Sequence, residues 1–222
     1  MSKVENHCVF VTGGAGFIRS AVLRGLLRST DVQLVNIDSL TYAGNLETLS
    51  EVVHHGRYDF SRTDIRDQEA LQGLFAKHQP SAVMHLAAES HVDRSIDGPD
   101  AFLETNVMGT YTLLQAVRGY LDTLNSVRST DFRFHHVSTD EVYGTLGLVG
   151  VFTELSPYQP RSPYAASKAA SDHLVRAWAE TYGIPSVISN CSNNYGPYQF
   201  PEQLIPMVIV MAFHDEAITV YG

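Results

Sequence analysis

The stretch Thr12-Gly13-Gly14-Ala15-Gly16-Phe17-Ile18 decides the fold, because it joins a short apolar run to a segment of helical periodicity. The apolar run at Cys8–Val11 predicts a buried strand, and the apolar residues of Phe17–Arg28 recur at helical spacing. Glycines at such a junction let the backbone turn tightly and approach a pyrophosphate, which then lies at the positive end of the helix. The sequence therefore predicts the first strand, turn and helix of a dinucleotide-binding fold.

An acidic residue stands where such a fold binds the ribose of its ligand. Asp38 ends the second predicted strand, Val32–Ile37. A carboxylate there accepts hydrogen bonds from ribose hydroxyls and disfavours a 2′-phosphate, so we expect NAD rather than NADP. The alternative is a glycine-rich turn without a ligand, but Asp38 and the strand–turn–helix context favour binding, with Gly13 and Gly16 next to the pyrophosphate.

Arg19 occupies the third position of the glycine pattern. Glycine usually recurs every third residue, which here would mean positions 13, 16 and 19, and the third glycine permits close packing of helix and strand. An arginine is expected to cost roughly 1–3 kcal/mol by overpacking, unless its head reaches solvent or the pyrophosphate. We expect weakened or displaced cofactor binding, not another fold.

The rest of the chain alternates apolar strands with segments of helical periodicity. This order predicts an α/β fold with a doubly wound parallel sheet of the Rossmann type, whose ligands bind beyond the carboxyl ends of the strands. The predicted strands are Cys8–Val11, Val32–Ile37, Tyr58–Ser61, Ala82–Leu86, Phe132–Val137, Ser186–Ser189 and Ile218–Tyr221. The predicted helices are Phe17–Arg28, Asn45–Val53, Asp67–His78, Pro99–Leu121, Ser162–Tyr182 and Glu202–His214.

Composition excludes several classes of protein. The 222 residues, 44% hydrophobic and 18% charged, suit one globular domain or one domain and part of a second. A net charge of −9 argues against a nucleic-acid partner. The two cysteines, Cys8 and Cys191, lack metal-ligand spacing and are expected to be free, and no metal site is predicted. The polar start and the lack of an apolar run near the ~20 residues that span a membrane predict a cytoplasmic protein without a membrane partner.

A tyrosine and a lysine carry the first catalytic prediction. In Tyr164-Ala165-Ala166-Ser167-Lys168 the two residues are four positions apart, so they share one face of a helix. An ammonium next to a phenol is expected to lower the pKa of that phenol. A hydroxyl that loses its proton near neutral pH suits oxidation of an alcohol by a nicotinamide, with Tyr164 as the base.

Two adjacent carboxyls, Asp140 and Glu141, follow Ser138 and Thr139 near the predicted end of the fifth strand. They are either a solvated pair at a strand end or an acid and a base whose pKa values are split by repulsion. Neighbours on a strand point in opposite directions, so a joint role in one site requires the strand to be ending there.

Seven segments resemble the dTDP-glucose 4,6-dehydratase family of extended short-chain dehydrogenase/reductases. The resemblance runs from near residue 8 to the last residue, and Thr139-Asp140-Glu141 is its specific part, since related epimerases usually lack the acidic pair. The segments are Thr12–Ile18, Asp38–Asn45, Asp64–Asp67, His85–Ser95, Ser138–Gly144, Tyr164–Lys168 and Asn190–Pro201.

The resemblance implies a lyase that converts dTDP-glucose to dTDP-4-keto-6-deoxyglucose with bound NAD. Tyr164, assisted by Lys168, would take the proton of the sugar 4-hydroxyl while hydride passes to NAD, and Thr139 would bind the 4-oxygen. Glu141, ionised, would then remove the C5 proton, and Asp140, neutral, would protonate the leaving C6 hydroxyl before hydride returns to C6.

The resemblance also implies binding residues and an assembly. Gln203 departs from the family, which tends to carry Lys there, so one substrate contact is expected to be weaker. The helices Phe102–Leu121 and Ser162–Tyr182 would form the four-helix seam of a homodimer. The implied NAD contacts are Phe17, Ile18, Asp38, Leu40, Thr41, Asp64, Ile65, Leu86, Ala87, Ala88, Thr105, Tyr164, Lys168 and Asn194. The implied sugar-nucleotide contacts are Ser90, Thr139, Asn193, Glu202 and Gln203.

Members of the family continue well past the equivalent of Gly222. We therefore expect residues 1–222 to be an NAD-binding Rossmann domain with the start of the substrate-binding region, in a C-terminally truncated chain whose substrate domain is largely absent. Two alternatives stay open: a non-catalytic fragment that binds dinucleotide or dimerises, and an epimerase or decarboxylase of another nucleotide sugar. Asp140 and Glu141 argue against the second alternative, because a pure epimerase needs no acid for a leaving hydroxyl.

Overall fold

A six-stranded parallel sheet organises the protein. The computed structural model describes residues 7–42, 44–147, 149–201 and 203–218. The strand order is β3-β2-β1-β4-β5-β6, and all neighbouring strands run parallel. The strands are β1 (Cys8–Thr12), β2 (Gln33–Asp38), β3 (Tyr58–Arg62), β4 (Ala82–His85), β5 (Arg133–Thr139) and β6 (Ser186–Cys191).

This order confirms the predicted doubly wound fold. The order reverses between β1 and β4, and ligands of such sheets bind in the crevice outside that reversal. Val11 of β1 pairs with Asn36 of β2 on one side and Met84 of β4 on the other. The predicted seventh strand, Ile218–Tyr221, falls almost wholly outside the described residues, so the described sheet has six strands instead of seven.

Helices connect the strands on both faces of the sheet. The predicted long helix from Pro99 is divided by a π-helical segment, Leu103–Gly109, and two short 3-10 helices occur at Leu46–Leu49 and Asp140–Tyr143. The α-helices are α1 (Phe17–Ser29), α2 (Gln68–His78), α3 (Val92–Asp97), α4 (Pro99–Phe102), α5 (Thr110–Leu121), α6 (Ser126–Asp131), α7 (Pro163–Tyr182) and α8 (Leu204–Phe213).

Two predictions of helix extent were wrong. Asn45–Val53 is not an α-helix, because the Asn45 side chain accepts a hydrogen bond from Glu47 N (2.9 Å) and the backbone closes tight i to i+3 turns such as Ser50 N to Glu47 O (3.1 Å). The helix from Pro99 widens into its π segment beside Gly109, where a Cβ would lie 2.6 Å from Ile65 Cδ1.

The core lies on both faces of the sheet. Phe10 and Val11, neighbours on β1, point to opposite faces, and both are fully buried, as expected for a central parallel strand. Phe10 packs with α2, α5 and α7, whereas Val11 packs with α1. On α8 several apolar side chains stay exposed, among them Leu204 at 66% and Phe213 at 84%. Within the described part of the chain, no helix combines the length and hydrophobicity needed to cross a membrane.

Candidate active site

The predicted site residues gather around two neighbouring cavities beyond the carboxyl ends of the strands. We call the cavity of about 380 Å³ the large cleft and the cavity of about 60 Å³ the small cavity. Predicted residues that line the large cleft are Gly16, Phe17, Ile18, Leu86, Ala88, Ser90, Thr139, Glu141, Tyr164, Lys168, Asn193, Asn194 and Gln203. Those that line the small cavity are Gly13, Asp38, Thr41, Asp64, Ile65, Ala87, Ala88 and Thr105.

Two predicted residues within the described part of the chain, Asp140 and Leu40, line neither cavity. Asp140 is half-buried beside Glu141. Leu40, at a φ of +57°, donates its backbone N–H to Asp38 Oδ1 (2.7 Å), so it supports the carboxylate of the small cavity. Glu202 lies outside the described residues.

The glycine turn is built against β2. Gly13 has a φ of +75°, which a side chain would strain, and Gly14 N donates to Asn36 Oδ1 (2.9 Å). A Cβ on Gly14 would lie 2.2 Å from that oxygen. Ala15 N donates to Asp38 Oδ2 (2.8 Å), so the turn and the buried carboxylate hold each other in place.

The large cleft contains the predicted tyrosine and lysine on the first turns of α7. Ser162 caps this helix by accepting a hydrogen bond from Ala165 N (3.0 Å), and a proline follows at the first helical position. Lys168 is 4% exposed, and its Nζ donates to Val137 O (2.9 Å) at the end of β5. Burial lowers the pKa of Lys168 to about 8.

The prediction that the pKa of Tyr164 is lowered was wrong. Burial and the charge of Glu141 raise the pKa of Tyr164, while a hydrogen bond with Thr139 and the charge of Arg19 oppose that rise. Lys168 is not among the largest causes of the shift, and its ammonium donates a hydrogen bond to Val137 O instead.

Asp140 and Glu141 lie just beyond the end of β5, as a joint role in one site requires. The strand ends at Thr139, and a 3-10 helix carries Asp140 and Glu141, with Glu141 N donating to Thr139 Oγ1 (3.2 Å). Burial, with the charge of Asp140 as a smaller cause, raises the pKa of Glu141. This rise favours the protonated form of Glu141, which is opposite to the expected split that leaves Glu141 ionised. Once ionised, a carboxylate of raised pKa is the stronger base.

Asp172 was missed by the sequence reasoning. It lies one helical turn beyond Lys168 on α7 and is fully buried. Its carboxylate accepts hydrogen bonds from Ser138 Oγ (2.8 Å) and Tyr158 OH (2.9 Å), and its Oδ1 lies 3.1 Å from His136 Nε2. The spacing of Tyr164 and Lys168, continued by four residues, is the sequence signal that leads to Asp172.

His136 is the neutral member of this buried cluster. Burial lowers its pKa to about 4, and the hydrogen bond to Asp172 opposes that shift only in part. Its Nδ1 has no hydrogen-bond partner among the residues that the structure describes. In the part of the chain that the structure describes, no three His, Cys, Asp or Glu side chains come together in a group that could hold a metal ion.

Asn106 was also missed, and no feature of the sequence singles it out. It lies in the π segment, and its side chain exchanges two hydrogen bonds with the backbone of Glu89, each 2.9 Å long. The same amide donates to Ser167 Oγ on α7 (2.9 Å). Asn106 therefore ties the loop after β4 to the helix that carries Tyr164 and Lys168.

Arg19 is partly buried, and its head bonds backbone carbonyls instead of standing free in solvent. Its Nε donates to Leu86 O (2.8 Å) and its Nη2 to Ala88 O (2.9 Å), so the guanidinium crosses to the end of β4. Burial lowers the pKa of Arg19. The two cavities fit the ends of a dinucleotide, with Asp38 at one end and Tyr164 at the other, and the flexible side chain of Arg19 lies between them.

Comparisons with known proteins agree with this geometry. The family model described as GDP-mannose 4,6 dehydratase matches residues 10–222. The chain is 57% identical over 223 residues to the dTDP-glucose 4,6-dehydratase of Shigella flexneri, covering 96% of this chain and 62% of that protein. It is also 57% identical to the dTDP-glucose 4,6-dehydratase of Neisseria meningitidis, covering 96% of this chain and 61% of that protein. The chain thus spans about three fifths of the length of these relatives.

Solved structures show the same likeness. The dTDP-glucose 4,6-dehydratase of Streptomyces venezuelae, with NAD and TYD bound, superposes with a TM-score of 0.89 at 45% identity, covering 97% of this chain and 65% of that one. The UDP-glucose 4-epimerase of Thermus thermophilus, in complex with NAD, has a TM-score of 0.83 at 32% identity, covering 97% and 65%.

Proposed function

Since the chain belongs to the GDP-mannose 4,6-dehydratase family, we propose that it carries the catalytic residues of an NAD-dependent lyase that converts dTDP-glucose to dTDP-4-keto-6-deoxyglucose. The observation that carries this proposal is the convergence of Thr139, Glu141, Tyr164 and Lys168 on one cleft. The higher identity to dTDP-glucose dehydratases than to the epimerase supports the choice of substrate.

The two cavities would hold NAD beyond the carboxyl ends of the strands. Asp38 would bind the adenosine ribose, Gly13 and Gly16 would face the pyrophosphate, and Tyr164 and Lys168 would lie at the reacting end. When bound there, NAD supplies the acceptor and later the donor of hydride.

Tyr164 acts on the sugar 4-hydroxyl in this proposal. The pKa of Tyr164 is raised, so its phenol is protonated at neutral pH. It can accept the proton of the sugar 4-hydroxyl only after it has lost its own proton and become a phenolate. We infer that the ammonium of Lys168 leaves Val137 O in the loaded site and stabilises the phenolate. The hydroxyl of Thr139 then binds the 4-oxygen and fixes its position.

Glu141 and Asp140 divide the elimination step. Once C4 is a ketone, the C5 proton is acidic, and the carboxylate of Glu141 in the large cleft removes it. Asp140 gives a proton to the leaving C6 hydroxyl. Asp140 is not among the residues that line the cleft, so this role requires its side chain to turn toward the sugar.

Ser90, Asn193 and Gln203 line the large cleft and would contact the sugar nucleotide, together with Glu202. Residues 1–222 would form the NAD-binding Rossmann domain with the start of the substrate-binding region.

A cytoplasmic location is supported by the free thiols of the two cysteines.

A homodimer built on α5 and α7 completes the proposal. The π segment that precedes α5 leaves Leu103 and Met108 exposed at 51% and 52% of their surfaces, and Tyr182 at the end of α7 is exposed at 43%. Light scattering after size-exclusion chromatography measures the mass directly. A monomeric mass at micromolar concentration would contradict the dimer.

One assay separates the proposed lyase from the alternatives. The purified chain is incubated with NAD and dTDP-glucose, and the 4-keto sugar is followed by its absorbance in alkali. We expect product from the chain and none from Tyr164→Phe. In a parallel incubation with UDP-glucose, conversion to UDP-galactose, with no keto product from dTDP-glucose, would favour the epimerase alternative. NAD binding without either product would favour the non-catalytic fragment.

A further inference from the structure

Arg19 lies where the two cavities of the site meet. Arg19 and Ala88 are the residues that line both the large cleft and the small cavity. The guanidinium spans from α1 to the loop after β4, where Leu86 and Ala88 supply the two accepting carbonyls. A ligand that occupies both cavities must therefore pass through the space that the Arg19 side chain fills.

The side chain fills the space that the glycines leave open. A Cβ built on Gly13 would lie 3.0 Å from Arg19 Cδ, and one built on Gly16 would lie 2.7 Å from Arg19 Nη1. In a dinucleotide fold this glycine surface is where the backbone approaches the pyrophosphate. Arg19 thus covers the same surface that the ligand would use.

The surroundings hold the guanidinium in this position. Its two hydrogen bonds to carbonyl oxygens are charge-assisted, and such bonds are stronger than neutral ones. The carboxylates of Asp38 and Glu89 favour the charged form of Arg19 against the cost of burial.

We propose that Arg19 is an internal competitor of the dinucleotide pyrophosphate. A ligand that spans both cavities binds only to molecules in which the guanidinium has left Leu86 and Ala88, whereas a ligand confined to one cavity binds without that requirement. The inference rests on the proposed function, which places NAD across both cavities. The apparent affinity for NAD falls by the fraction of molecules in which Arg19 has moved away.

The experiment compares a spanning ligand with a confined one. NAD binding is measured by isothermal titration calorimetry, and adenosine binding, which needs the small cavity alone, by NMR titration. Both are measured for the chain, Arg19→Ala and Arg24→Ala. The last is a matched control, because Arg24 lies on the same helix, donates to Thr48 O (2.6 Å) and lines neither cavity. Thermal unfolding checks that all three proteins are folded.

We expect Arg19→Ala to bind NAD roughly tenfold more tightly or better, and adenosine unchanged. Arg24→Ala should bind both ligands like the parent chain. Arg19→Lys keeps the charge but offers one nitrogen in place of the separate Nε and Nη2 donors of the guanidinium, so it should give an intermediate affinity. This variant replaces Arg19→Ala in the comparison if the alanine variant does not fold.

Three results would overturn the inference. Equal or weaker NAD binding by Arg19→Ala would mean that the guanidinium helps to bind the pyrophosphate. An equal gain in affinity for adenosine would mean that Arg19 acts on the fold as a whole and does not separate the two cavities. Failure of every variant to bind NAD, with adenosine still bound, would overturn the assignment of NAD itself and this inference with it.

Discussion

Asp172 lies one helical turn beyond Lys168 on α7, and its negative charge raises the pKa of the buried ammonium against the burial that lowers it to about 8. Tyr164, Lys168 and Asp172 follow one another at intervals of four residues and so share one helical face. Ser138 and Tyr158 hold the carboxylate from the opposite side. The charge of Lys168, the proposed catalytic lysine, therefore depends on a buried group that is not among the residues lining the cleft.

We expect Asp172→Asn to lower the pKa of Lys168 further, because burial would then act without its anionic partner. The chain has three lysines, Lys3, Lys77 and Lys168, so the buried one is readily assigned in a ¹³C NMR titration of the lysine Cε carbons. Glu180→Gln, at an exposed position of the same helix, is the control. An unchanged titration of Lys168 in Asp172→Asn would contradict the assigned role.

The fold and the main groups of the site follow from local sequence patterns. The glycine turn, Asp38 and the pair Tyr164 and Lys168 were all found because each depends on spacing within one turn, strand end or helix. The position of the Arg19 head was not predictable in this way, because it depends on carbonyls 67 and 69 residues along the chain.

Long-range contacts explain the other omissions as well. Asn106 joins Glu89 to Ser167, which is 61 residues away, and the π segment forms where the helix passes Ile65. The pKa of Tyr164 was misjudged because helical spacing gives the neighbouring lysine but neither the depth of burial nor the nearby charge of Glu141.

Gly144 is expected to fix the turn that carries the acidic pair. It closes the 3-10 helix Asp140–Tyr143 at a φ of +89°, and a Cβ there would lie 2.5 Å from Gln159 O. Gly144→Ala should lower the free energy of unfolding by about 2 kcal/mol or more, from backbone strain and the clash together. Urea denaturation measures this change.

The control for that substitution is Gly147→Ala in the same loop, where a Cβ would meet nothing within 4 Å. We expect its free energy of unfolding to stay within about 0.5 kcal/mol of the parent value. Equal stability of Gly144→Ala and Gly147→Ala would show that the loop adapts to a side chain at Gly144.

Stability should fall as the solution is acidified below pH 6.5. The pKa of His136 is about 4 in the folded chain against an ordinary value of 6.5, so the unfolded chain binds this proton first. The neutral imidazole therefore contributes stability above pH 6.5 that is lost progressively down to pH 4, amounting to about 3 kcal/mol at most. Burial lowers the pKa of His85 as well, which adds to the same trend.

Urea denaturation at pH 7 and pH 4.5 tests this dependence. In His136→Gln the difference between the two pH values should shrink, even if the variant is less stable at both. A stability that is equal at the two pH values in the parent chain, or a difference that His136→Gln leaves intact, would show that His136 does not govern the acid response.

Tyr164→Phe should stop the proposed reaction before any hydride moves. The substitution removes the hydroxyl that takes the proton of the sugar 4-hydroxyl, and burial of the ring in the large cleft is retained. After rapid mixing with dTDP-glucose and NAD, stopped-flow absorbance in the near ultraviolet should show no reduced nicotinamide. Formation of the reduced cofactor at the parent rate would exclude Tyr164 as the base.

Glu141→Gln should stop the same reaction one step later. In the proposed reaction, oxidation at C4 would use Tyr164 on α7, whereas removal of the C5 proton would use the carboxylate on the 3-10 helix after β5. The variant is therefore expected to accumulate reduced cofactor while it releases little 4-keto-6-deoxy product. The amide keeps the size of the side chain, so the shape of the cleft is preserved. If Glu141→Gln instead loses the reduced-cofactor signal as completely as Tyr164→Phe, then Glu141 shapes the site for oxidation and does not act after it.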